Sequence, residues 1–165
     1  IYWSNKEFEQ SEEIAVHIRR GDIAAHKRHR HSEGKRWQSN KYYNSIIPKI
    51  AANYSDSLPI VIYSEGKESE FLSGPNPINK NWGNALSERL SLRLGKYRDN
   101  KPDDENNYMG LIEAYQKMTS SKVFVQSRSS LSWCVSLMNE NDIWLQPTTR
   151  RHYSYRGRLE HWNII

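Results

Sequence analysis

Short apolar runs, each followed by a helical or polar stretch, constrain this chain more than any other feature. Ile14 to Ile18 is apolar and rich in β-branched residues, and it reads as a buried strand. Pro59-Ile60-Val61-Ile62-Tyr63 and Lys122 to Gln126 read the same way, and Asp142 to Leu145 gives a shorter strand stopped by Pro147. Leu90, Leu92 and Leu94 alternate with Arg89, Ser91 and Arg93 as a strand would, while Leu86, Leu90 and Leu94 also fit one face of a helix. Helical spacing marks Asn40 to Tyr54, through Tyr43, Ile46, Ile47 and Ile50, with Pro48 inside as a kink or an early stop. Glu68 to Leu72 reads as a short helix. Asn107 to Met118 reads as a longer one, with Met109, Ile112, Tyr115 and Gln116 along one side. Leu131 to Met138 is a helix with a serine-rich entry, and residues 73–84, rich in Pro, Gly and Asn, read as loop.

Strand alternating with helix specifies an α/β fold: a doubly wound, mostly parallel, Rossmann-like sheet of about five strands with helices on both faces. At 165 residues the chain has the size of one domain, with a core from about 14 to 147 and a basic aromatic tail over 148–165. A single cysteine, Cys134, permits no internal disulfide, and its apolar helix makes it a core residue. No apolar run reaches the roughly 20 residues of a membrane span. The chain opens on Ile1 rather than Met, as a trimmed or partial chain would. Doubly wound sheets put their first and fourth strands side by side and bind ligands at the carboxyl ends, where the winding reverses. The segments after Ile18 and after Gln126 therefore face one crevice.

Both segments are chemically unusual. The first is His17-Ile18-Arg19-Arg20-Gly21-Asp22. Adjacent arginines at the end of a buried strand are poor core residues, and a guanidinium offers a fork of donors suited to phosphate. Strand neighbours point to opposite faces, so Arg19 and Arg20 can divide the work, one gripping phosphate and one tying down the loop. Asp22 can pair with either, and Gly21 allows a sharp turn. A surface cluster of ion pairs would also fit these residues. The second segment is Ser127-Arg128-Ser129-Ser130-Leu131-Ser132-Trp133, between a strand and a helix. Ser129 or Ser130 can cap the helix, whose first N–H groups form an anion site. Capping alone uses one serine of four.

These motifs resemble those of the α-1,2-, α-1,6- and protein O-fucosyltransferases. His-x-Arg-Arg-x-Asp is similar to their donor-binding signature, and Ser-x-Ser-Ser-Leu-Ser-Trp to their serine-rich motif, over roughly Ile14 to Pro147. The resemblance implies one of two facing Rossmann-like domains, the half that binds GDP-fucose without a metal. It implies that Arg19 and Arg20 contact the β-phosphate and assist departure of GDP, that His17 and Asp22 shape the motif, and that Ser127, Ser129 and Ser130 hold the diphosphate. It also implies a glycan or protein acceptor bound by a second domain. One departure concerns the acidic residue that many relatives carry near the start of the helix before the serine motif. Its place falls on Ala114, so either Glu113 beside it substitutes with a register shift or the base preference differs. Glu65, after the second strand, is a further candidate, and no catalytic base is assigned.

Charge leaves a rival reading open. Lys and Arg total 24 against 19 Asp and Glu, a net +5, which favours an anionic partner. The basic stretch over 26–36 and the tail over 148–165 would suit a non-catalytic module that binds nucleic acid or another polyanion, with the α/β core as scaffold. His26, His29 and His31 do not read as a metal site, because crowded cations oppose a dication and no thiolate or well-placed carboxylate supports one.

Overall fold

The computed structural model describes residues 9–24, 37–95, 109–145 and 162–164. The basic stretch over 26–36, Asn107, the tail over 148–161 and the side chain of Asp22 lie outside the described residues. The strands are β1 (Ser11–Ile18), β2 (Ile60–Glu65), β3 (Leu90–Gly95), β4 (Ser121–Val125), β5 (Asp142–Leu145) and β6 (Trp162–Ile164). They form one sheet in the order β3-β2-β1-β4-β5-β6, and every neighbouring pair is parallel. This is the doubly wound α/β arrangement. The sixth strand comes from the basic aromatic tail, which has no apolar run to announce it.

Parallel strands at the centre are buried on both faces, so they read as continuous apolar runs. The side chains of Ile14, Val16 and Ile18 project to one face, where Tyr43, Ile46, Ile47 and Ile50 of α1 (Asn40–Ala51) meet them. Ala15 projects to the other face with Val61, Tyr63 and Phe124, against Met118 of α4 (Leu111–Ser120) and Val135 of α5 (Ser130–Met138). Two short helices, α2 (Ser69–Leu72) and α3 (Asn84–Glu88), lead from β2 to β3. Among the described residues no helix is long and apolar enough to cross a membrane.

Local differences from the sequence pattern have simple causes. Helix α1 runs through Pro48 and ends at Ala51, with Ser39 as its N-cap accepting from the Tyr42 N–H. The leucines of 86–94 serve both readings in turn, because α3 ends at Glu88 and β3 begins at Leu90. Helix α4 buries Met118 and Thr119; of the stripe read from the sequence, Met109 and Tyr115 pack on the core while Ile112 is 70% exposed. Cys134 is exposed rather than core, since α5 turns Ser132, Val135 and Ser136 inward and leaves position 134 facing solvent.

Phe124 on the central strand β4 is fully buried. Phe124→Ala is expected to cost about 3–5 kcal/mol in urea unfolding. A loss below about 1 kcal/mol would mean that β4 is not packed on both faces.

Candidate functional site

The register of three strands builds one wall of a crevice. His17 on β1 pairs with Tyr63 on β2, and Tyr63 pairs with Arg93 on β3, so three polar side chains stand in a row across the sheet. Arg19 and Glu65 lie just past this row, at the carboxyl ends of the strands. Facing them are Met109, Leu111, Ala114 and Met118, from α4 and the residues before it, and Leu131 of α5. Ile18, Arg20, Ser64 and Gly95 complete the lining of a cavity of about 240 Å³. One wall is thus polar and the other mainly apolar.

His17 fastens the switch point between the two halves of the sheet. Its Nδ1 lies 2.5 Å from the Ser132 hydroxyl and 3.0 Å from that of Ser127, and the Ser127 N–H donates to Ser132 Oγ at 3.1 Å. Ser132 Oγ accepts that N–H and keeps both a proton and a lone pair, so the His17 tautomer sets which of Ser132 Oγ and Nδ1 donates. Burial first, and then the charge of Arg19, pull the His17 pKa down to about 3, so the ring is neutral at pH 7. Such a weakly basic imidazole is a poor general base. Its geometry suits holding β1 to the turn before α5.

The two arginines take separate roles, as strand alternation dictates. The Arg20 side chain is buried on the α1 face, with its guanidinium 4.0 Å over the Trp37 ring and 5.7 Å from that of Phe71. Its Nη2 donates to Asn40 Oδ1 at 2.7 Å and its Nη1 to the Arg19 carbonyl at 3.0 Å. Arg20 therefore ties the loop to α1 and α2, and burial draws its pKa below the ordinary arginine value. Arg19 turns to the cavity, where its Nη1 donates to Glu65 Oε2 at 3.1 Å. A partner of Arg19 is thus supplied by β2. Ser64 reinforces that junction by donating to the Ile18 carbonyl at 2.6 Å.

The serine motif is split. Ser127 is buried in the His17 cluster, Ser129 is the buried N-cap of α5 without a side-chain capping bond, and Ser130 is exposed on its first turn. Ser129 and Ser130 stand beside the N–H groups that a helix start leaves open, outside the cavity lining. Glu113 is exposed on the first turn of α4, and Ala114 rather than Glu113 lines the cavity.

Sequence reasoning missed Ser132, Tyr63, Arg93 and Glu13. The Tyr63 hydroxyl donates to the buried Glu13 carboxylate at 2.6 Å, and burial together with that carboxylate raises its pKa. A tyrosine closing an apolar strand, and an arginine in the alternating third strand, were the available signals; only the register aligns them. Among the described residues no group of three or more His, Cys, Asp or Glu side chains could hold a metal ion.

The histidine yields a signed prediction. Its folded pKa of about 3 lies below the ordinary 6.5, so its contribution is complete above pH 6.5 and lost as pH falls towards 3. Wild-type unfolding free energy should fall there by about 1.4 kcal/mol per pH unit from this group, and His17→Asn should show a slope shallower by that amount. Equal slopes in urea titrations from pH 7 to pH 4 would contradict the burial of a neutral imidazole. No protein-family model, curated protein or solved structure matches this chain.

Proposed function

We propose that this chain is the donor-binding domain of a glycosyltransferase and that its crevice holds GDP-fucose for metal-independent transfer to a glycan or protein acceptor. The observation that carries the reading is the Arg19 guanidinium lining a cavity at the carboxyl end of β1, where the winding of the sheet reverses. The start of α5 lies beyond the same junction, fastened to β1 through His17, and adds N–H groups suited to a second phosphate. The apolar wall of Met109, Leu111, Ala114 and Met118 suits a planar base. The resemblance of the arginine and serine motifs to those of fucosyltransferases supplies the identity of the donor.

In this reading Arg19 is the catalytic residue. As the bond from fucose to the β-phosphate breaks, negative charge grows on the departing phosphate oxygen. A guanidinium held there stabilises that charge more than it stabilises the bound donor, which lowers the barrier. Arg20 acts through position, since its stacking on Trp37 fixes the backbone that presents Arg19. The acceptor and a second domain complete the reaction.

Calorimetric titration with GDP-fucose, GDP, GDP-mannose and UDP-glucose tests the reading. The guanine nucleotides should bind selectively, and Arg19→Ala should weaken GDP roughly 10- to 100-fold, the worth of a hydrogen bond to a charged group. Folded protein that binds none of the four would overturn it.

A further inference from the structure

Glu65 ends β2 beside Arg19, and its carboxylate sits in a place that Gly21 keeps open. Gly21 has φ +63°, and a Cβ built there would stand 2.1 Å from Glu65 Oε2. The left-handed backbone favours glycine here, and any Cβ would make the Glu65 carboxylate move from this seat. From that seat Oε2 engages Arg19 Nη1 at 3.1 Å, with the two side chains 33% and 23% exposed, and both residues line the cavity. The carboxylate therefore occupies an N–H that an incoming phosphate would use. If it stayed in place, it would also stand within a few ångströms of that phosphate and repel it.

We propose that Glu65 is an internal competitor for Arg19, an acidic side chain that holds the guanidinium until the phosphate of a ligand replaces it. This rests on the reading of the crevice as a phosphate site and adds a selectivity to it. A lone monoanion gains on Arg19 no more charge than it displaces, whereas a diphosphate, with about two charges on adjoining groups, outcompetes a single carboxylate. The exchange makes Glu65 a determinant of which anions are retained, distinct from a residue that only orients Arg19.

Inorganic pyrophosphate titrated into wild type, Glu65→Gln, Arg19→Ala and the double variant separates these roles. Glutamine keeps the shape and an acceptor oxygen for Nη1 while removing the charge, so an orienting role would survive the change. Glu65→Gln should bind pyrophosphate about tenfold more tightly than wild type, as expected for one like charge removed at close range in a partly solvated crevice. The gain should vanish in the double variant. Glu65→Ser, which also clears Gly21, serves if the glutamine variant does not fold. Equal or weaker binding by the Glu65 variant, including binding by neither protein, overturns the proposal, as does a gain that persists without Arg19. Tighter pyrophosphate binding in Glu65→Gln with no GDP-fucose binding in any variant would remove the donor reading alone. GDP-fucose binding with no gain in Glu65→Gln would remove the competitor alone.

Discussion

The cluster of His17 with Ser127 and Ser132 is the interaction on which the crevice depends. β1 and β4 are neighbours in the sheet, yet their chain connections leave in opposite directions, and nothing in the ladder fixes the turns beyond the strand ends. One imidazole nitrogen meeting two hydroxyls supplies that fixation. It sets the start of α5 relative to the end of β1, and so sets Arg19 relative to the first turn of that helix. The energetics favour a neutral ring, because a buried imidazolium would lose its hydration and stand close to Arg19. Protonation would therefore strain a junction that aligns the two halves of the site.

From that junction the chain alternates in purpose as well as in direction. Arg20 points into the α1 layer and spends its donors on Asn40 and the backbone, with Trp37 covering its face. Arg19 points into the cavity layer and meets the carboxylate from β2. The same pair of residues thus anchors the loop and arms the site, an arrangement available only where a strand ends with two arginines in succession. Gly21 then reverses the backbone and clears the space that Glu65 fills. Each element of His17 to Gly21 has one physical task, and the tasks follow from the side of the sheet on which the residue falls.

Most of the fold was legible because central parallel strands are apolar on both faces and leave runs such as Ile60 to Tyr63 in plain view. β6 was not, since three residues in a polar aromatic tail carry no periodic signal, and their pairing comes from β5. Cys134 was misread because it sits beside apolar neighbours, and only the helix phase against the sheet decides which side is inner. The candidate site was legible as two motifs and their meeting point. Its wiring was not. Glu65 reaches Arg19 across 46 residues of sequence, and Ser132 rather than Ser129 or Ser130 meets the histidine. Tyr63 and Arg93 enter the crevice only through strand register, which a single sequence does not encode locally.

Backbone amide mapping by NMR, with GDP added to isotope-labelled protein, tests the central claim most directly, because it locates the ligand as well as detecting it. Shifts are expected to be confined to 17–21, 63–66, 93–95, 109–118 and 127–132, the segments that line the crevice at the carboxyl ends of the strands and the helix start beside it. Shifts concentrated instead at the opposite end of the sheet, around Ser55 to Leu58, or no shifts at saturating GDP, would contradict a phosphate site at the switch point.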